Sequence, residues 1–404
     1  MVELIAPAGN WPMLRAAIDA GADAVYLGTK SLNMRVTAGN FELSELKKAV
    51  SECHKKKVKA YLTLNTIVYQ TEIESVRKII TGAKKAKVDA IIAWDFAVIN
   101  EAKKAGLEVH LSTQAGVANF ESAKFYSKLG VKRIVFAREL SLEQIKSIIL
   151  GIKKEGLNLE TEVFVHGAMC VSISGRCFLS QEIFKKSANR GECLHPCRRP
   201  YKVINEDTGN ELRLGNNFIL SPKDLCVLPF IGGLIDAGID SFKIEGRNKS
   251  PEYAQVVVKC YKEAISLYKK NKLNKKTVAE LLKKLKTVYN RDFSTGFYLG
   301  LPTSDDFTDA EGSKATETKH YVGYVKNYYK HIGVAEIKIE NNPLKISDEI
   351  RLIGNKTGTF KQKVISIEIN HKKISSAKRG QRVAIKTEKE ARINDKVFVV
   401  RVKS

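Results

Sequence analysis

A chain of 404 residues with 44% apolar side chains is long enough to bury a large core and too long for one small domain, which excludes general disorder. No run approaches about 18 consecutive apolar residues, so no membrane span is expected, and the opening MVELIAPAGNW lacks the basic region of a secretory leader, so a cytoplasmic protein is expected. The formal charge of +24 attracts polyanions, with nucleic acid the commonest.

In chain order, short β-rich runs recur over the first 250 residues: ELIAPAG, AVYLGT, KAYLTLN, AIIAWD, EVHLSTQ, RIVFAREL, TEVFVHG and SFKIEGR. Most are separated by helical periodicity, clearest in FELSELKKAVSECHKKK, where Leu43, Leu46, Val50 and Cys53 fall at three- and four-residue spacing. Eight strand–helix alternations predict an α/β fold, a TIM-type (β/α)8 barrel. A doubly wound sheet would carry a Gly-rich phosphate loop after its first strand, and APAGNWPML is a poor match to one.

Side chains alternate across a strand, so the apolar positions tell which others face the barrel axis. With Leu62 and Leu64 against the helices, Tyr61, Thr63 and Asn65 turn inward; the same logic turns His110, Ser112 and Gln114 inward. With Phe242 and Ile244 outward, Lys243, Glu245 and Arg247 form an inward row. Charged groups in a barrel interior need a ligand or one another, and these sit towards the strand ends where barrel enzymes keep their sites. The row therefore predicts either a structural ion network or, preferred, a polar pocket for an anionic small molecule.

Four of the seven cysteines cluster behind the seventh run as Cys170-x6-Cys177-x15-Cys193-x3-Cys197. Four thiolates hold either zinc or an iron–sulfur cluster. Only the last pair is tight, where structural zinc sites use two close pairs, so the spacing favours iron–sulfur. Cys53 and Cys260 fall on apolar helix faces and read as core. Cys226 follows the cluster closely and is an alternative fourth ligand.

Beyond a helical stretch at about 251–300, the acidic TSDDFTDAEGS breaks both periodicities. The domain division expected is a barrel domain over 1–300, with a Cys-rich insertion at about 168–224, a linker over 301–319, and a small antiparallel β-barrel over 320–404. From Tyr321 to Ser404, nineteen Lys and Arg stand against eight Asp and Glu, an excess of +11. With Tyr321, Tyr324, Tyr328 and Tyr329 interleaved as stacking candidates, this part is expected to dock RNA.

Taken together, LIAPAGN, AIDAGADAVYLG, LGVKRIVFARELSLEQI, EVFVHGAMCVSISGRC, SANRGECLHPCRRPY, LSPKDLC and SFKIEGRNKSPEYA resemble the collagenase-like peptidase family, in order from about residue 3 to 270. The C-terminal run is similar to the second-domain barrel of translation elongation factors. The family resemblance implies oxygen-independent hydroxylation, of a tRNA wobble uridine foremost, with ribosomal RNA cytidine, a quinone precursor, or proteolysis as the alternatives. It further implies a 4Fe–4S cluster on Cys170, Cys177, Cys193 and Cys197, and prephenate, a small dicarboxylate, as co-substrate. Lys243, Glu245 and Arg247 match the family's KIEGR segment and, with His166, are the catalytic candidates. Arg35, in MRVTAGNF, joins Asn65, Gln114 and Arg138 as the substrate-binding candidates.

Overall fold

The computed structural model describes residues 2–173, 175–199, 201–212, 220–310 and 312–403. The eight β-rich runs form parallel strands β1 (Glu3–Ala8), β2 (Ala24–Gly28), β3 (Lys59–Leu64), β4 (Ala90–Ala93), β5 (Val109–Leu111), β6 (Arg133–Val135), β7 (Glu160–Gly167) and β8 (Ser241–Ile244). Each pairs with the next, and β8 completes the circle by pairing in parallel with both β7 and β1. The chain is thus a closed TIM-type barrel.

Its outer helices are α1 (Trp11–Asp19), α2 (Leu46–His54), α3 (Ile73–Ala86), α4 (Phe96–Lys104), α5 (Phe120–Lys128), α6 (Leu142–Lys154), α7 (Ile231–Asp236) and α8 (Pro251–Lys269). Several begin at a polar residue that takes up a free backbone N–H of the first turn. The Asn10, Asp95 and Asn119 side chains accept from Met13, Ala97 and Ser122 at 3.0, 2.9 and 2.8 Å. The outward strand residues, Leu62, Leu64, Phe242 and Ile244 among them, pack under these helices in one continuous core.

Inside the barrel the packing is different. Ile5, Ala24, Tyr26, Tyr61, Ala90 and Ile92 form a small apolar cluster, and around it runs a chain of ion pairs. Arg133 Nη1 donates to Glu3 Oε1 (2.7 Å) and to Glu162 Oε2 (3.3 Å), and Lys243 Nζ donates to Glu162 Oε1 (2.7 Å). The Tyr61 hydroxyl donates to Glu3 (2.9 Å), and the Tyr61 ring meets His110 edge-on. Glu162 is fully buried, so its charge is compensated by protein alone.

The last part of the chain forms an eight-stranded antiparallel sheet: β9 (Glu317–Tyr329), β10 (Val334–Ile339), β11 (Glu349–Gly354), β12 (Gly358–Lys363), β13 (Ile367–Ile369), β14 (Lys372–Ile374), β15 (Arg382–Lys386) and β16 (Lys396–Val402), in the order β12-β11-β16-β9-β10-β15-β13-β14. It curls round its own core of Val322, Ile337, Leu352, Val383 and Val397. The Gln362 side chain on β12 reaches across to the Lys386 carbonyl on β15 (2.9 Å), drawing the sheet round its core. This domain leans on α1 and α8. Gly358 packs where a Cβ would stand 2.9 Å from the Arg15 Cβ, the Gln255 amide donates to Thr359 O (2.9 Å), and Lys319 pairs with Glu252 (2.6 Å). Among the described residues no helix is long and apolar enough to cross a membrane.

The buried ions give a stability test. Removing one partner of a buried pair strands the other, at a cost of about 3–5 kcal/mol. Glu162→Gln is therefore expected to lower the unfolding free energy by about 3 kcal/mol or more in urea titrations. A change under about 1 kcal/mol would show that water, not Glu162, compensates Lys243 and Arg133.

Candidate active site

The C-terminal ends of the barrel strands surround a cavity of about 50 Å3. Its walls include Tyr26, Arg35, Thr63, Asn65, Gln114, Arg138, Phe164, Lys243, Glu245 and Arg247. The structure thus brings together seven of the eight non-cysteine candidates, all except His166. Within the cavity their roles divide. Lys243 is held by Glu162, and Glu245 is held by Arg35, whose Nη2 and Nε donate to one carboxylate oxygen at 2.9 and 3.1 Å. Arg247 Nη1 donates only to Thr63 Oγ1 (2.9 Å) and leaves its buried Nε without a partner. Arg138 spends Nη1 on the Ala168 carbonyl (2.9 Å), lies over the Phe164 ring (4.4 Å), and leaves Nε and Nη2 buried and unpartnered.

The electrostatics follow from this pairing. Burial by itself would raise the Glu245 carboxyl, yet Arg35, Arg138 and Arg247 hold it below the usual range. Burial pushes Arg247 down to about 10 and lowers Arg138, as it must for cations kept from water without a dedicated carboxylate. The pocket thus holds two guanidiniums with buried N–H groups that no protein acceptor meets.

Behind β7 the chain folds over this mouth. Cys170, Cys177, Cys193 and Cys197 come from four points of the 168–199 segment and line one cavity of about 70 Å3. None is in a disulfide; Cys170 is exposed and Cys197 buried. Apolar groups, Met34, Met169, Leu179 and Pro196 among them, supply much of the remaining wall. Burial raises the Cys193 and Cys197 thiols in the absence of a metal. Among the described residues, no three Cys, His, Asp or Glu side chains stand close enough to hold a single metal ion as they are. The donor set nevertheless suits an iron–sulfur cluster. Four free thiols surround one cavity without converging on a point, whereas a lone zinc with bonds of about 2.3 Å needs convergence. The two cavities share Met34, Arg35, Arg138 and Gly175 as walls. Gly175 has φ +79°, and a Cβ there would collide with Met34 Cε, so this point of the shared wall has no room for a side chain.

His166 lies elsewhere. The register of β7 against β8 slips between Lys243 and Ile244, so that Ile244 pairs with His166 instead of its neighbour. The slip carries the imidazole behind the barrel wall, against Tyr253, Tyr261 and Phe293, with Tyr261 Oη 3.4 Å from Nδ1. Cys226 sits beside it, 3.7 Å from the same hydroxyl, and is not on the cysteine-lined cavity. Cys53 and Cys260 are core residues. Strand alternation passed over Glu162 and Tyr26, although both occupy inward positions it could have flagged. Arg198 was missed for a different reason. It lines the cysteine cavity and donates to the Pro222 carbonyl (2.7 Å), but lies in a loop without periodicity.

A closed parallel barrel, capped after its seventh strand by a four-cysteine segment and holding arginines with unpartnered nitrogens at its mouth, defines a cysteine-capped TIM-barrel protein. Residues 9–308 match the description of peptidase family U32, and the chain belongs to that family and is an enzyme. It is 42% identical to a collagenase of Porphyromonas gingivalis, over 98% of this chain and 97% of that protein. It is 34% identical to the tRNA hydroxylation protein P1 of Bacillus subtilis, over 90% and 86%. It is 38% identical to the 23S rRNA 5-hydroxycytidine C2501 synthase of Escherichia coli, over 65% of this chain but 39% of that protein.

The placement of His166 makes a pH prediction. Burial pushes its imidazole down to about 3, while an unfolded histidine titrates near 6.5. Below about pH 6.5 the unfolded chain takes up a proton that the folded chain refuses, so this contribution is complete above 6.5 and is lost as pH falls towards 3. His166→Phe is expected to flatten the acid limb of the urea-unfolding free energy by up to about 1.4 kcal/mol per pH unit. An acid limb of unchanged slope would mean that His166 takes its proton in the folded state.

Proposed function

We propose that this enzyme hydroxylates RNA without molecular oxygen, acting on the wobble uridine of tRNA in the cytoplasm, with prephenate as co-substrate and a 4Fe–4S cluster held by Cys170, Cys177, Cys193 and Cys197. The observation that supports the reading is the shared wall of Met34, Arg35, Arg138 and Gly175, which borders both the four-thiol cavity and the pocket with unpartnered Arg138 and Arg247 nitrogens. A bound cluster supplies one-electron redox chemistry at that wall.

The chain's own groups do the rest. Arg138 and Arg247 offer their free N–H groups to the carboxylates of a small dicarboxylate, as charge-assisted hydrogen bonds from buried nitrogens. Asn65, Ser112 and Gln114, linked by hydrogen bonds from Asn65 Nδ2 to Ser112 Oγ (3.3 Å) and from Ser112 Oγ to Gln114 Oε1, line the same pocket with uncharged polar groups, suited to the edge of a pyrimidine taken out of its stack. Transfer RNA is favoured over ribosomal RNA because the tRNA-acting relative is matched over most of its length and the rRNA-acting one over well under half. The collagenase name of a more similar relative keeps proteolysis as the rival. A cysteine peptidase needs a thiol joined to a base, and among the described residues none of the four thiols is hydrogen-bonded to an imidazole; Cys193 is bonded only to the backbone of His195. Cys170, for one, meets the Ser172 hydroxyl at 3.6 Å.

Protein purified without oxygen is expected to carry about four irons and four sulfides per chain. Cys193→Ala should lose both, together with 5-hydroxyuridine in tRNA measured by mass spectrometry. One zinc with no iron, or full modification by an iron-free variant, would end this reading. Arg138→Met is expected to raise the prephenate requirement by about ten- to a hundredfold, the usual worth of a charged hydrogen bond, at unchanged iron content. An unaltered requirement would remove Arg138 from the binding site.

A further inference from the structure

A much larger depression lies outside the mouth, where the C-terminal domain meets the barrel. It encloses about 900 Å3, at the upper end for ligand clefts. Its barrel wall is made by Asn10 and Pro12, which follow β1, and Pro251, which follows β8; both loops leave the barrel on the face that bears the active site. Asn40 N donates to Gly9 O (2.6 Å), so the loop carrying Arg35 rests on the residue preceding this wall. The groove and the mouth are therefore neighbours on one surface.

The opposite wall belongs to the C-terminal domain and is basic. Lys319, Lys330, Lys356, Arg392 and Lys396 line it, against Glu390 and Asp395. Lys319 is tied to Glu252 and Arg392 to Glu390. Lys330, Lys356 and Lys396 are exposed and, among the described residues, have no carboxylate within 4 Å. Tyr328 and Phe398, both half-buried, also line the groove, the Phe398 ring lying under Lys319 Nζ (5.1 Å to its centroid). A basic channel with interleaved aromatic rings is the pattern that tracks a single-stranded phosphate backbone and stacks its bases. Of the tyrosines expected to stack, Tyr328 alone lines the groove, while the Tyr321 hydroxyl is engaged by Glu340 (2.7 Å).

We infer that this interdomain groove is the RNA-docking channel, and that it holds the strand flanking the nucleotide delivered to the barrel mouth. The inference rests on the RNA reading above and adds to it the surface that binds. Neither domain forms the channel alone: the barrel supplies the wall next to the mouth and the C-terminal domain supplies the cations.

The test uses the full chain and bulk tRNA, with affinity measured across a salt series for two triple variants of equal charge change. K330E/K356E/K396E alters the groove. K372E/K373E/K378E alters exposed lysines at and beside the hairpin of β13 and β14, at the far end of the sheet order. The groove triple is expected to weaken binding by about tenfold or more and to lower the slope of log affinity against log salt by about 2, the value for three lost contacts to single-stranded RNA. The remote triple should change affinity by less than about threefold. Equal weakening by both triples would reduce the effect to net charge and overturn the inference, as would a groove triple that binds like the parent. If tRNA binding depends on the groove while RNA from a deletion strain lacks no hydroxylation, the channel stands and the proposed reaction falls. If hydroxylation is lost in the deletion strain but the groove triple binds normally, the channel alone falls.

Discussion

Everything at the mouth of this barrel depends on how its interior charges are settled one layer below. A TIM barrel is normally filled with branched apolar side chains. Here Glu162 stands fully buried between Lys243 and Arg133, and Arg133 continues to Glu3. Taking such groups out of water costs several kcal/mol per ion, so they persist only because each charge meets an opposite one. One consequence is that the ion chain takes Lys243 out of the pocket's free inventory. What remains above it is one carboxylate, Glu245, already held by Arg35, and two guanidiniums with N–H groups to spare. The anion-seeking character of the site is therefore a residue of the ion chain, not a property of any one cation.

The cysteine segment adds the second constraint. It closes over the mouth with Met34, Met169, Leu179 and Pro196 as much of its lining, so charges beneath it interact through a medium far less screening than water. Four thiolates in that setting would repel one another, and burial accordingly raises Cys193 and Cys197 when nothing offsets the charge. Arg35, Arg138 and Arg198 line the same cavity and are the cations available to balance a thiolate-bound group. Of these, Arg138 also leaves unpartnered nitrogens at the inner pocket, so one such guanidinium is common to both sites. The shared wall couples the two sites electrostatically as well as sterically.

Most of this was legible wherever a period governs the chain. Strand alternation sorted Leu62, Leu64, Phe242 and Ile244 from Thr63, Asn65, Lys243 and Arg247, because a closed sheet buries both faces and leaves no third option. His166, a catalytic candidate, lies where a register slip against β8 breaks the two-residue repeat and sends the ring behind the wall. A bulge has no composition of its own, so the strand's sequence could not announce it. Of the inward row, Lys243 belongs to an ion network through Glu162, whereas Arg247 keeps a buried Nε without a partner. Which side a residue takes depends on Glu162, eighty-one positions away from Lys243 in sequence, and contacts of that range leave no local trace. The cysteine spacing indicated a shared site without its geometry, and Arg198, in an irregular loop, carried no periodic mark. The docking of the two domains was not legible at all, since it rests on single points such as Gly358 under Arg15.

The two sets of cations, buried and exposed, obey different physics, and this separates their roles. Lys330, Lys356 and Lys396 are exposed, so their pull on a polyanion is screened over a Debye length of about 8 Å at physiological salt and acts mainly by raising encounter and weak retention. The unpartnered nitrogens of Arg138 and Arg247 are shielded from solvent, so their demand for acceptors is nearly indifferent to salt and is met only by a group of the right shape. The chain's excess of +24 is thus not one undifferentiated field. Its exposed part can gather a nucleic acid of any sequence, while the buried part can refuse any ligand that leaves a guanidinium unpaired. Discrimination must then come from the mouth, and from the groove only capture and alignment.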